Sequence, residues 1–208
     1  MCTPSVMTRC FSTVDVNIGV LALQGDVSEH IGAFRRALAH HNVNGGTVFA
    51  VRTLGDLAQC DGLAIPGGES TTISRLIDRN GLYRSIRDFE GGIFATCAGM
   101  VLVASEVDDP RIHTLGMMDI SIARNAFGRQ RESFEAYIPI KSFNRPFRAI
   151  FIRSPLAHRA GRATEVLGQL EQGIVAVREK QHLALSFHPE LGEDLRFHEL
   201  FLEMQGFF

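Results

Sequence analysis

A repeated alternation constrains this chain most: short apolar runs stop at Gly, Pro or Asp and give way to helical periodicity. Ile18-Gly19-Val20-Leu21-Ala22-Leu23 is the first such run, and Gln24-Gly25-Asp26 turns the chain after it. Ser28 then reads as the N-cap of a helix to about His40, with Ile31, Phe34 and Leu38 at helical spacing. Thr47–Val51 and Gly62–Ile65 read as the second and third strands, the latter stopped by Pro66-Gly67-Gly68. A helix beginning near Thr71 carries Ile73, Leu76 and Ile77. Gly92–Ala95 is a fourth strand, entering Cys97 and a helix to about Ser105. Apolar strands alternating with amphipathic helices imply an α/β fold: three layers, with a central, mostly parallel sheet covered by helices on both faces.

After Gly116 the texture changes. Met118–Arg124, Phe134–Lys141, Phe147–Ile152, Glu165–Leu170, Ile174–Arg178 and Leu183–Phe187 are strand-like, most of them separated by Gly, Pro or Asn. Part of this half is expected to add antiparallel strands to the sheet, and Leu195–Met204 to close the chain as an amphipathic helix. No repeat or linker divides residues 17–208, which are read as one domain behind a flexible N-terminal extension, residues 1–16. At 208 residues, the length suits one sizeable core.

Charge and cysteines narrow the function. A formal charge of −2 leaves no basic surplus for nucleic acid, and no apolar run is long enough to cross a bilayer. Cys2, Cys10, Cys60 and Cys97 form no CxxC pair, which argues against a disulfide framework or a zinc site and for a reducing, cytoplasmic setting. Residues 1–16 lack a secretory apolar core. Arg9, the Ser and Thr residues and the absence of acid over the first fourteen positions give them a faint transit-peptide character.

Three strings carry chemistry. Ile93-Phe94-Ala95-Thr96-Cys97-Ala98-Gly99 reads as a nucleophile elbow: a buried strand, a sharp turn bearing a thiol, then a helix whose N-terminus favours thiolate. Ser186-Phe187-His188-Pro189-Glu190 offers a base and an orienting carboxylate; in an extended segment His188 and Glu190 would face the same way. Pro66-Gly67-Gly68-Glu69-Ser70-Thr71 lets backbone N–H groups approach a ligand but lacks a Walker-type ending. Arg124 and Arg153 are each able to grip a carboxylate. Alone, each string has a plain structural reading: a core cysteine, a surface turn, a strand–helix junction, a solvated charge. Their coexistence in one chain favours covalent acyl transfer. His30, His40, His41, His113 and His182 show no ligand-like grouping and are read as structural or exposed, and no metal or cofactor is expected.

The chain resembles the class I (triad) glutamine amidotransferases, and within them the glutaminase subunits of pyridoxal 5′-phosphate synthases. The resemblance rests on IGVLALQGDVSEH (18–30), LAIPGGESTT (63–72), TCAG (96–99), RNAFGRQ (124–130) with SFE (133–135), FIR (151–153) and SFHPEL (186–191). It implies hydrolysis of L-glutamine to glutamate and ammonia. Cys97 would be the nucleophile, His188 the proton carrier and Glu190 its orienter, with Gly68 and Ala98 N–H groups holding the oxyanion. It likewise implies that Gly68, Glu69, Ser70, Arg124, Ile152 and Arg153 bind substrate. Gln24 would lie near the oxyanion region, where a synthase subunit docks to form a hetero-oligomer and receive the ammonia. One departure is Ala95, where the family's elbow has glycine; alanine is small enough that a modest backbone adjustment accommodates it. Two other functions fit parts of the pattern: a different elbow-type cysteine hydrolase, and a non-catalytic partner-binding subunit. The glutamine-type strings disfavour the first, and the intact Cys97, His188 and Glu190 disfavour the second.

Overall fold

The computed structural model describes residues 16–43, 45–123 and 133–208. Cys2, Cys10 and Arg124, with the rest of the RNAFGRQ string, lie outside the described residues. In chain order the first half contains β1 (Asn17–Leu21), α1 (Val27–His40), β2 (Thr47–Val51), α2 (Leu54–Leu57), β3 (Gly62–Ile65), α3 (Ser70–Arg79), α4 (Tyr83–Arg87), β4 (Gly92–Thr96) and α5 (Ala98–Val103). The second half contains β5 (Ala104–Val107), β6 (Met118–Ala123), β7 (Ser133–Ile138), β8 (Phe147–Ile152), β9 (Leu156–Ala160), β10 (Glu165–Leu170), β11 (Gly173–Glu179), β12 (His182–Leu185) and α6 (Arg196–Met204), with a 3-10 turn over Pro189–Leu191.

The main sheet runs β2-β1-β3-β4-β12-β11-β9-β6-β5, with β10 on β11, and β7-β8 form a separate hairpin. β2, β1, β3, β4 and β12 are mutually parallel; β11 pairs antiparallel with β12 and β9, β9 pairs antiparallel with β6, and β5 pairs parallel with β6. The expected three-layer α/β architecture is present. Pleat alternation sends Leu63, Ile65, Ile93 and Ala95 to a core shared with α3, α4 and α5. Val20, Ala64 and Phe94 point to the opposite core, with Phe34 and Leu38 of α1 and Phe201 of α6. Phe94 lies edge-on to Phe34 at 5.3 Å, a geometry that suits the ring quadrupole.

Several expected boundaries moved. Asp26, not Ser28, occupies the N-cap of α1, and its side chain makes no capping bond; that carboxylate is turned toward the site. The elbow helix ends at Val103 because the chain becomes β5 at once, Leu115 N and Met117 N bonding to its last carbonyls. α2 and α4 carry too few residues for a periodic signal, and β9 alternates poorly. α2 is held instead by a capping box, Thr53 Oγ1 accepting from Asp56 N while the Asp56 carboxylate accepts from Thr53 N.

This order decides where a site forms. β1, β3, β4 and β12 are parallel, so the segments leaving their carboxyl ends meet at one edge of the sheet. Those segments are Gln24–Asp26, Pro66–Glu69, Cys97 and Ser186–Glu190. β2 and β3 flank β1, so the chain winds in opposite directions from this point, the switch at which open α/β sheets form crevices.

Candidate active site

Cys97 has φ 49° and ψ −107°, a sterically costly conformation for a residue with a Cβ, and it is 6% exposed. Its neighbours hold it there. Cys97 N donates to Leu185 O of β12 at 2.8 Å, tying the elbow to the strand that leads to His188. At Gly99 an added Cβ would stand 2.1 Å from Ile65 O, so the helix leaving the elbow packs directly on β3 backbone. Ala95 sits inside β4 between Ile65 and Ala184, and the elbow forms with alanine at that position.

His188 lies across the cleft, 4% exposed, with Nδ1 2.6 Å from Glu190 Oε1 and 3.3 Å from Asp26 Oδ2. The expected extended segment is instead a 3-10 turn with His188 at its N-cap and Pro189 in its first position. The turn folds Glu190 back onto the ring, so the pair meets through a tight turn rather than through strand alternation. Burial disfavours the imidazolium. Hydrogen-bonding contacts with Asp26 and Glu190, the neighbouring Cys97 and the charge of Glu190 outweigh it and hold the pKa well above the usual histidine range. Burial pushes Glu190 up, but His30 and His188 over-compensate and keep it ionised below the usual carboxylate range.

A cleft of about 530 Å³ opens over Cys97, lined also by Gln24, Gly68, Glu69, Ser70, Ala98, Ile152, Arg153 and His188. Thus every expected site residue within the described residues lines this cleft, except Glu190, which stands behind His188. Gly68 has φ +150°, and Gln24 Oε1 accepts from Glu69 N at 2.8 Å, so the Gln24 side chain braces the glycine loop. Glu69 caps α3 by accepting from Thr72 N at 2.7 Å. Despite desolvation, hydrogen bonds from Thr71 and Thr72 draw its carboxyl down to about 2. Arg153 has φ 45°, a second strained residue at the cleft, and Ser154 Oγ steadies the turn by accepting from Ile152 N at 3.1 Å. Ile152 O faces Cys97 Sγ at 3.8 Å. Ala98 N lies in the first turn of α5, where no intrahelical acceptor is available.

Two residues were missed by sequence reasoning: Asp26, and His30, which is fully buried with Nε2 3.5 Å from Glu190 Oε1. Their spacing of four on the first turns of α1 was the available signal, since it puts both on one helix face. His40 and His41 are also grouped, both contacting Glu199 of α6. Among the described residues, two clusters therefore have metal-type donors: Asp26–His188–Glu190 and His40–His41–Glu199. In both, an imidazole nitrogen lies at hydrogen-bond distance from a carboxylate, which accounts for the arrangement without an ion. Chemically, a strained thiol sharing a cleft with a carboxylate-backed imidazole, beside backbone donors, is equipped for acyl transfer through a covalent intermediate.

Residues 20–206 match the model of the SNO glutamine amidotransferase family. The pyridoxal 5′-phosphate synthase subunit PdxT of Methanoculleus marisnigri is 58% identical over 188 residues, 90% of this chain and 97% of that protein. The protein of the same name from Niallia circulans is 46% identical over 192 residues, 91% of this chain and 97% of its own. A crystal structure of a glutamine amidotransferase superposes with a TM-score of 0.81 at 40% identity, covering 91% of this chain and 98% of the other. A glutamine amidotransferase from Thermotoga maritima, 12% identical with a TM-score of 0.59 over 93% of this chain and 95% of its own, shares the fold.

Proposed function

The chain belongs to the SNO glutamine amidotransferase family, and from that premise we propose how its cleft works. It is a glutaminase: it hydrolyses L-glutamine to glutamate and ammonia as the subunit that supplies ammonia for pyridoxal 5′-phosphate synthesis. Residues 17–208 act as one glutaminase domain in a hetero-oligomer with the synthase subunit, in the cytoplasm. No helix among the described residues is long and apolar enough to cross a membrane.

Cys97 attacks the side-chain amide carbon of glutamine; the thiolate is the attacking form. The amide oxygen becomes an oxyanion that accepts from Gly68 N and Ala98 N, where preorganised donors stabilise the transition state more than the ground state. His188, charged at rest, already carries the proton that departing ammonia needs. Ammonia leaves, the γ-glutamyl thioester remains, and His188 then takes a proton from the attacking water. Glu190 holds the ring tautomer throughout. Glu69, Ser70, Ile152 and Arg153 line the substrate subsite, with Arg124 pairing the α-carboxylate. Gln24, which braces the Gly68 loop, couples the oxyanion region to the docked synthase subunit.

The observation that carries this reading is Cys97 on a strained elbow, in one cleft with an imidazole that is itself backed by a buried carboxylate. Ammonia release from glutamine, measured with and without the cognate synthase subunit, tests it. Failure to release ammonia when the synthase is present would overturn it.

A further inference from the structure

We infer that His30 is a positioning residue that ties the nucleophile elbow to the triad carboxylate. The inference rests on the glutaminase reading above and adds a residue to it. His30 stands on α1, yet its ring reaches two other elements. Nε2 lies 2.9 Å from Thr96 Oγ1, the residue preceding Cys97, and 3.5 Å from Glu190 Oε1. All three residues are at most 4% exposed.

The contacts determine the tautomer. A bare lone pair on Nε2 would face an ionised carboxylate at 3.5 Å and repel it. The ring therefore carries its proton on Nε2, donating to Thr96 Oγ1 with the positive end of the N–H turned also toward Glu190. Nδ1, which has no hydrogen-bond partner among the described residues, is then the unprotonated nitrogen. Phe94 meets the ring edge at 5.9 Å and holds its plane. Burial keeps His30 neutral, so it acts as a fixed dipole rather than as a second proton carrier.

A fixed dipole here serves two ends. It stabilises the charge on Glu190, which keeps the carboxylate committed to His188 Nδ1. It also anchors Thr96, so the elbow and the triad acid move as one body. Glu190 is faced by His188 from its own turn, by His30 of α1 and by Asp26 at the N-cap of α1; His198 of α6 lies against His30, ring centroids 6.2 Å apart, and Glu29 and Arg36 of α1 bear on the two buried imidazoles.

His30→Gln and His30→Met are nearly equal in volume and flexibility, and only glutamine keeps a donor where Nε2 stands. In the complex with the synthase, His30→Met is expected to lower kcat about tenfold, the loss associated with a donor facing a charged group. KM should stay within about twofold, and the acid limb of the kcat profile should move to higher pH as Glu190 becomes easier to protonate. His30→Gln should restore most of the rate and the limb. Equal behaviour of the two variants, whether both active or both impaired, would overturn the inference. Nitrogen-15 NMR of the wild-type imidazoles gives a test independent of any variant: an Nε2–H tautomer is expected, and an Nδ1–H tautomer refutes the role. Wild-type protein that releases no ammonia would instead remove the glutaminase reading itself.

Discussion

Gly67→Ala puts one methyl group under the triad imidazole. A Cβ at Gly67 would stand 2.4 Å from His188 Cε1, 3.2 Å from His188 Nδ1 and 3.1 Å from Asp26 Oδ2. Gly67 is outside the left-handed region, so alanine meets no backbone penalty there and the collision is the whole effect. Ordinary contact begins at 3.4 Å, so the ring or the glycine loop has to retreat by about 1 Å. The ring has little freedom: its Nδ1 is held 2.6 Å from Glu190, and His188 N donates to Ile150 O at 2.8 Å. If the loop moves instead, the Gly68 donor moves with it. Either displacement separates a catalytic group from the reacting carbon, and about 1 Å of misplacement costs on the order of a hundredfold, or about 2.7 kcal/mol of barrier. The fold should lose roughly 1 to 3 kcal/mol through local strain. Coupled ammonia assays with the synthase present give kcat, and thermal melts give the stability. A variant that melts like wild type and keeps more than about half of kcat would refute the placement of His188 against this loop.

Cys97→Ala should abolish ammonia release yet still bind the synthase, as read by size-exclusion chromatography; undiminished activity would show that another group is the nucleophile. Arg124→Ala should raise KM for glutamine by about tenfold or more, the loss of a charge-assisted pair, with kcat less affected; an unchanged KM would remove the arginine from the substrate subsite. Stability should fall as pH drops below 6.5. His30 and His198 are buried neutral with lowered pKa values, so the unfolded chain binds more protons there, at roughly 1.4 kcal/mol per pH unit for each group. Above 6.5 the sign reverses, because His188 keeps its proton in the folded state and loses it on unfolding. Urea denaturation across pH should therefore peak near 6.5, and a flat profile between about pH 5 and 6.5 would contradict the neutral burial of the two rings.

Most of the first half of the fold was legible because its strands and its two longer helices, α1 and α3, declare their pattern in the sequence. β1 to β4 are short apolar runs ended by turn residues, and α1 and α3 show clear apolar faces. The catalytic strings were legible for a related reason, since a strained elbow and a close-packed glycine loop tolerate few residue types. α2 and α4, at four and five residues, are shorter than the window in which helical periodicity accumulates. β9 was missed because Leu156–Ala160 alternates poorly, with His158 and Arg159 both exposed. The Ser28 cap failed because Asp26 takes that position while its carboxylate serves His188 instead of the helix.

The residues that stayed hidden share a physical cause. Periodicity reports which face of an element is buried; it does not report which distant element is buried against it. His30 occupies a core position of α1 and is surrounded by the same rings that cover Phe34, so its pattern is that of any buried side chain. What distinguishes it is created by topology. α1 crosses over between β1 and β2, which lays its first turns along the edge where β4 and β12 also end. Asp26 and His30, one helical turn apart, then approach His188 and Glu190 from the same side, while Gln24 just before them braces the Gly68 loop. One stretch of seven residues thus touches the nucleophile's strand, the base, the acid and the oxyanion loop. Displacing the start of α1 would disturb all four together. A partner that docked near Gln24, as proposed above, would therefore alter the whole catalytic set at once.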